Sequence, residues 1–474
     1  MVREGSKPAV IALACTDTRT WPLCHVAAAF ECTLCPYLSR SLTTMTQAPK
    51  PRRTSINPMG LGLKLLNQVA ASPVLDHLKL RKPTERLVTQ ATAAGFTAIA
   101  GLGKGMQQAR KLLAPARLAR PSSAQLFDLT PTDEQQALRD AAQDFAQQRL
   151  RPAALAADTA CAAPADLLAE AQALGFAALA VPEAHGGAGS ERNAVSLVLI
   201  TEALAEGDMG LAVACLAPQA VATAISLWGS AGQQARYLPA FCGESVPRAA
   251  LAIQEPQVLF DAFALHTKAE RVTGGFRLNG EKALVPAASH CALFVIAAEI
   301  PGEGAALFIV EAGAEGLSFS PEPAMGLRAA ATERLRMKDL HLPAAAILAK
   351  GNDYADCIAL SRLGWCALAT GTAQAVLSHV IPYTNERVAF GEPISHRQAV
   401  AFMVANIAIE LEGLRLATWR AAALAEQGAA FHPAAAIARQ LVSSKAATIG
   451  SDGVQLLGGH GFTKEYPVER WYRD

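Results

Sequence analysis
The spacing of apolar residues divides the chain into stretches of different period. From Leu129 the repeat is helical. "LTPTDEQQALRDAAQDFAQQRLRP" opens on a threonine cap, puts acids in the first turn and carries an apolar stripe at Leu138, Ala141, Phe145 and Leu150, the start signal of an amphipathic helix. "ADLLAEAQALGFAALAVPEAHGGAGS" predicts a helix closed by Gly175, a short apolar piece and a glycine-rich loop at 186–189. "AVSLVLITEALAEGDMGLAVACLAPQAVATAISLWGS" predicts two apolar helices, and "AGQQARYLPAFCGES" closes the region. Between 248 and 349 the pattern shortens to alternation and short apolar runs. "FALHTKAERVTGGFRLNGEKALVP", "CALFVIAAEI", "GAALFIVEA" and "ERLRMKDLHLP" are separated by Gly-Gly, Asn-Gly and Pro turns, which predicts a compact β domain. From Tyr354 the helical period returns in Ala/Leu-rich segments at 354–388, 396–427 and 432–458, broken at "AFGEPIS" and "EQGAAFHP". The expected fold is mainly α with a central β domain, a barrel or sandwich, set between an N-terminal helical domain and a C-terminal four-helix bundle.

Two stretches precede this body. Residues 51–120 hold amphipathic segments such as "LGLKLLNQVAASPVLDHLKLRK", whose charges are basic, and Pro115 and Pro121 mark a linker. A helix of this kind can lie on an anionic membrane surface or form an extra layer on the protein. Residues 1–50 are expected to be a disordered leader, and Met45 is a candidate true start. The expected divisions are therefore 1–50, 51–120, 121–247, 248–349 and 350–474, the last an incomplete bundle.

Charge sharpens the division. The chain of 474 residues has a formal net charge of +1. Between Met45 and Arg120 there are 13 Lys/Arg against 2 Asp/Glu, so a basic arm precedes an acidic body. With 51% hydrophobic and 18% charged residues the composition is globular. No apolar run is read as long enough for a membrane span. Four of the ten cysteines lie in the first 35 residues. "CTLC" has metal-ligand spacing but no second ligand pair, so no metal is expected. The body cysteines read as buried thiols in a reducing compartment. The expected location is cytoplasmic, with peripheral contact at the inner membrane through 51–120. Nucleic acid is not expected, because basic and aromatic residues do not interleave.

Candidate chemistry gathers in two C-terminal stretches. In "NERVAFGEPISHRQ", Arg387 supplies a guanidinium fork, Gly391 permits a turn after Phe390, the Phe390 ring can pack on a flat group, and Gln398 supplies an amide donor. A capped helix end with a surface arginine would read the same way. "QLLGGHG" ends a helix with consecutive glycines, through Gln455, Gly458 and Gly459. Glycine lets backbone N–H groups approach a ligand, and it also serves as a plain helix cap.

Five stretches in one order, "GFAALAVPEAHGGAGS", "GSAGQQARYLPAFCGES", "MGLRAAATERLRMKDLHLP", "NERVAFGEPISHRQAV" and "DGVQLLGGHGFTKEYPVERWYRD", resemble the acyl-CoA dehydrogenase family of flavoproteins from about Leu129 onward. The resemblance implies FAD as cofactor, held in part by Arg387, Phe390, Gly391, Gln398, Gln455, Gly458 and Gly459, the glycine segment reaching the FAD of a neighbouring subunit. It implies a homodimer or homotetramer. His460 falls where the family varies and is read as incidental. The implied reaction is α,β-dehydrogenation of an acyl-CoA thioester, as in fatty-acid β-oxidation. A carboxylate removes the α-proton, the flavin takes the β-hydride, and electrons leave to an electron-transfer flavoprotein. Arg362 is implied beside the substrate.

The match departs from the family at three places. Ser361 stands at one of the two family positions for the catalytic glutamate. The other lies beyond Asp474, so a truncated chain is expected and the base is unassigned. The family's Thr-Glu-Pro-Gly-Ala-Gly-Ser-Asp appears as "QEPQVLFD", which places Gln257, Val258, Leu259 and Phe260 at small-residue positions. Its Lys-x-Trp-Ile-Thr-Asn appears as "KALVPA", with Leu284 for the tryptophan near the flavin and Pro286 for the threonine that bonds flavin N5. These departures imply an atypical substrate pocket. They leave two alternatives: a flavoprotein oxidase or dehydrogenase of another substrate, and a non-catalytic subunit that binds FAD or acyl-CoA.

Overall fold
A computed structural model describes residues 129–189, 193–243 and 245–474. The leader at 1–50, the basic segment at 51–120 and its expected membrane contact lie outside the described residues.

The N-terminal helices follow their caps. Helix α1 (Asp133–Phe145) begins in a reciprocal box, with Gln135 N–H donating to Thr132 Oγ1 at 3.2 Å and Thr132 N–H to Gln135 Oε1 at 3.0 Å. The inward stripe is Ala142, Phe145 and Leu150, while Ala141, expected inside, is exposed. A π turn at Ala146–Leu150 then leads into α2 (Arg151–Ala160). Its five-residue step keeps Phe145 and Leu150 on one face, which a regular helix would not. Helices α3 (Ala165–Ala173), α4 (Ala194–Gly207), α5 (Met209–Trp228) and α6 (Ala231–Tyr237) complete the domain.

Helix α5 corrects one expectation, since its 20 residues, at hydropathy 1.7, are long and apolar enough to cross a membrane. In this fold it is a core helix. Val221, Ala222 and Ile225 pack with the central sheet, and Pro218 and Gln219 are buried inside it. The cysteines also differ in part from expectation: Cys291, Cys357 and Cys366 are buried, but Cys161 is exposed.

The middle domain is one sheet of β1 (Ala249–Ala252), β2 (Lys268–Val272), β3 (Gly275–Pro286), β4 (Leu293–Ile300), β5 (Gly304–Glu311), β6 (Leu317–Pro321), β7 (Thr332–Pro343) and β8 (Ile347–Lys350). Its strand order is β6-β7-β3-β2-β4-β5-β8, with β1 parallel to β4. The run at β4 reads as continuous apolar sequence because both of its faces are covered. Leu293, Val295 and Ala297 point to the helices, and Phe294, Ile296 and Ala298 to the core inside the β domain, as the two-residue period requires.

The C-terminal region holds three long helices, α7 (Asn352–Glu386), α8 (Gln398–Glu426) and α9 (His432–Leu457), and the short α10 (Val468–Arg473). A two-strand hairpin, β9 (Val388–Ala389) and β10 (Glu392–Pro393), joins α7 to α8. Helix α7 packs against α4, α8 and α9. At Gly371 a Cβ would lie 2.1 Å from the Glu202 carbonyl oxygen, so glycine sets the closeness of α4 and α7. From α8 a buried ion pair reaches the same α4 residue, Arg415 Nε to Glu202 Oε1 at 2.5 Å. Another, Arg470 Nε to Asp208 Oδ2 at 2.9 Å, ties α10 to the turn between α4 and α5.

Candidate functional site
The residues of interest fall into two groups at opposite ends of α7. The first is a wall made where the β domain meets the start of that helix. Lys282 of β3 is wholly buried, its Nζ 2.8 Å from Glu255 Oε1 and 3.1 Å from the Ile253 carbonyl oxygen. Glu255 also accepts from the N–H groups of His266 at 2.8 Å and Thr267 at 2.9 Å, and from Gln257 Nε2 at 3.0 Å. Burial alone would raise the Glu255 carboxyl. The Lys282 ammonium, by hydrogen bond and charge, outweighs it and holds the carboxyl at about 2. Burial pushes Lys282 down to about 8 against the pull of Glu255, so at neutral pH both are charged. Ala283 N–H donates to the Gln254 carbonyl oxygen at 2.9 Å. These bonds join the 254–260 segment to the end of β3, which brings two of the three departures together.

The wall is apolar and its backbone is strained. Val258 and Leu259 are 90% and 95% exposed, and Leu284 is 42% exposed. Leu259 and Leu284 have φ of 57° and 54°, with Ala287 at 41° and Ala331 at 51° close by. Non-glycine residues in this region are held there by their surroundings and gather at functional sites. Here Leu284 N–H donates to Glu322 Oε2 at 2.6 Å and Ala287 N–H to the Ala331 carbonyl oxygen at 3.0 Å. Pro286 closes β3 opposite Thr332 and has no donor to offer.

Helix α7 reaches this wall through its N-terminal half. Tyr354 donates its hydroxyl to the Ala262 carbonyl oxygen, and its ring meets Phe263 edge-on at 5.8 Å. The Arg362 guanidinium lies 5.8 Å from the Phe263 ring centre. Burial, and the like charge of Arg439, lower its pKa against the opposing Asp261. Ser361 stands beside it, and one helical turn earlier burial pushes the Cys357 thiol up to about 12.

The second group lies at the other end of α7. Arg387 caps the helix, its N–H donating to the Tyr383 carbonyl oxygen at 2.9 Å, and its own carbonyl accepts from Ile394 N–H at 2.9 Å. Phe390 and Gly391, at φ 56° and 87°, form the tight turn of the β9–β10 hairpin. The turn presents the Phe390 ring, 96% exposed, with the Arg397 guanidinium 5.7 Å from its centre. Arg387 is exposed and has no carboxylate at ion-pair distance among the described residues. Gln398 starts α8, where free N–H groups favour anions. Helix α9 ends with Gln455 exposed and turns through Gly458, whose φ is 58° and ψ −132°. A Cβ on Gly391, Gly458 or Gly459 would meet nothing within 4 Å. Open space lies over these glycines.

Similarity to known proteins shows the family. Three acyl-CoA dehydrogenase models match in succession: the N-terminal domain over 132–245, the middle domain over 250–340 and the C-terminal domain over 352–474. The chain is 34% identical over 358 residues to cyclohex-1-ene-1-carbonyl-CoA dehydrogenase of Geobacter metallireducens, covering 72% of this chain and 92% of that protein. The chain belongs to the acyl-CoA dehydrogenase family. Among solved structures, butyryl-CoA dehydrogenase from Megasphaera elsdenii is 29% identical at a TM-score of 0.68, over 73% of this chain and 94% of that one. A chain from work on the electron transferring flavoprotein of Acidaminococcus fermentans and flavin-based electron bifurcation is 31% identical, also at 0.68, over 73% and 93%.

An acyl-CoA dehydrogenase is an oxidoreductase acting on a CH–CH group, and its cofactor is FAD. The residues at the far end of α7 fit that group. A guanidinium with no carboxylate partner among the described residues, an exposed ring, a helix start and open glycine backbone suit a pyrophosphate and a flat ring system. The wall at 254–287 offers apolar cover and no side-chain donor at Pro286. Sequence reading singled out the second group residue by residue. It kept Glu255 and Lys282 only as pattern matches, and their pairing was not visible because 27 residues separate them. Tyr383 was missed, since nothing in the sequence pairs it with His460.

Proposed function
We propose that this acyl-CoA dehydrogenase builds its active site between two copies of the chain and passes electrons to an electron-transfer flavoprotein. One observation carries the first part. Arg362, beside the apolar wall, lies on one continuous helix, and Arg387, beside the open glycines, caps its far end. At the ~1.5 Å rise of an α-helix they stand about 37 Å apart. One FAD cannot lie against both groups of a single chain, but it can lie between the wall of one copy and the Arg387 end of another. A homodimer, or a tetramer of two dimers, supplies that arrangement. The electron-transfer flavoprotein is supported by the structural likeness to the Acidaminococcus fermentans chain.

In this reading Arg387, Gln398 and the backbone at Gly458 and Gly459 hold the pyrophosphate, and Phe390 covers part of the cofactor. When bound, FAD accepts the hydride from the β-carbon of the thioester. The wall of Val258, Leu259, Phe260 and Leu284 excludes water and narrows the approach to the reacting carbons. Arg362 is placed to orient the substrate. Ser361 is no base, because a serine hydroxyl is far less basic than the carboxylate this reaction uses, so the α-proton goes to a carboxylate elsewhere.

The test is a visible absorption spectrum of the purified protein before and after anaerobic addition of acyl-CoA thioesters of several lengths. A flavin spectrum that bleaches with one thioester, and recovers on adding an electron-transfer flavoprotein, is the expected result. A second reading, a subunit that binds FAD or acyl-CoA without turnover, is favoured by Pro286 and Ser361 standing at reactive positions. It predicts a flavin spectrum that no thioester bleaches. A protein that takes up no FAD would end the first reading and leave the second only as a subunit that binds acyl-CoA.

A further inference from the structure
The Arg387 hairpin and the Gly458 turn are 71 positions apart along the chain, yet one pair of side chains joins them. Tyr383 Oη and His460 Nδ1 share a hydrogen bond at 3.1 Å, made across 77 residues. Both partners are tightly placed. Tyr383 sits one helical turn before Arg387 and accepts the Arg387 N–H on its carbonyl. His460 is the middle of the short 3₁₀ turn Gly458–Phe462. Its carbonyl accepts from the N–H of Thr463 at 3.1 Å and from Thr463 Oγ1 at 3.0 Å. A third ring completes the contact: Tyr466 lies 5.4 Å from His460, and 5.6 Å from Tyr383, edge-on. The turn is folded back on its own helix, since a Cβ at Gly461 would lie 2.2 Å from the Val454 carbonyl oxygen. The His460 side chain links this folded-back turn to α7.

We infer that Tyr383 and His460 are positioning residues for FAD: their hydrogen bond fixes the distance between the Arg387 hairpin and the glycine turn, so that both meet one cofactor. His460 is then not incidental to the turn. The inference rests on the reading of these two segments as FAD contacts. Neither side chain is assigned a place in the chemistry.

The test uses the full chain carrying Tyr383→Phe, His460→Ala, both together, and His460→Asn, which keeps a short polar side chain able to reach the tyrosine hydroxyl. FAD is titrated into the apoprotein by flavin fluorescence. Backbone hydrogen exchange over Gly458–Phe462 and the thermal midpoint are measured without cofactor. Each single variant is expected to weaken FAD binding roughly 2–10-fold, the reach of one hydrogen bond. The double variant should be no weaker than the worse single, because both remove the same bond. His460→Asn should recover much of the loss, and exchange at the turn should quicken in the variants that bind less well. Unchanged FAD affinity, or losses that add in full, would overturn the proposal. A fallen thermal midpoint with intact affinity would reduce the pair to a structural brace. If the unaltered protein takes up no FAD, the flavin reading itself has failed, and quickened exchange would then leave only a clip within the fold.

Discussion

Lys282 and Glu255 are the most consequential single residues of the wall. Both are almost fully enclosed, with side-chain exposures of 0% and 1%. Removing one partner of such a pair leaves a buried charge without compensation. Lys282→Met should therefore cost roughly 3–5 kcal/mol of unfolding free energy. The double change Lys282→Met with Glu255→Leu should cost less than the single one. Urea unfolding at pH 7 measures both, and a single variant within 1 kcal/mol of the wild type (about a fivefold change in the folding constant) would show that the pair does not hold the wall. The pair also sets a pH dependence. The Glu255 carboxyl lies at about 2 in the fold against an ordinary 4.5. The unfolded chain thus binds the proton more readily in that interval, so stability falls as the pH falls from 4.5 toward 2. The contribution is complete above 4.5. The stability difference between wild type and Glu255→Gln should accordingly shrink across that window.

At the scale of elements, the crossing of α4 and α7 depends on an absent side chain. A Gly371 Cβ would overlap the Glu202 carbonyl oxygen at 2.1 Å and approach the Ala205 Cβ at 2.9 Å. Alanine is the better helix former by about 1 kcal/mol, so propensity alone favours Gly371→Ala. The overlap is with backbone and cannot relax by rotating a side chain. Overpacking of roughly 1–3 kcal/mol should win, and the thermal midpoint should fall. A rise would mean that the two helices separate without penalty. The change would also displace Glu202 from Arg415 and from the Trp419 Nε1–H, which donates to Glu202 Oε2 at 3.0 Å. The π turn at Ala146–Leu150 is a second case of local geometry set by packing, since it rotates Leu150 onto the face of Phe145.

At the scale of the whole molecule, the proposed site between two copies would link cofactor binding to assembly. Light scattering at micromolar concentration should give a dimer or tetramer. Dilution toward dissociation should release FAD in step with the loss of the assembly. Retention of FAD by a monomer would contradict a site shared between copies. Exposed apolar residues along α8 and α9, among them Phe402, Ile409 and Ile437, are the faces such an assembly would cover.

Much of this was legible along the chain. The change of period from helix to strand and back set the order of the domains, because each element must bury one face or stripe of apolar side chains and that need is written locally. Capping residues such as Thr132 and turn residues such as Gly391 act within a few positions, so they too can be read from sequence. The Arg387 and glycine segments stood out only through the order of five stretches, because each short run alone reads equally as a helix cap. Tertiary structure alone decided what depends on residues far apart in the chain: the pairing of Glu255 with Lys282, the face taken by Ala142 in place of Ala141, the burial of α5 as a core helix, and the joining of Tyr383 to His460. Each is fixed by where separate elements come to lie, and periodicity within one element carries no information about the distance to another.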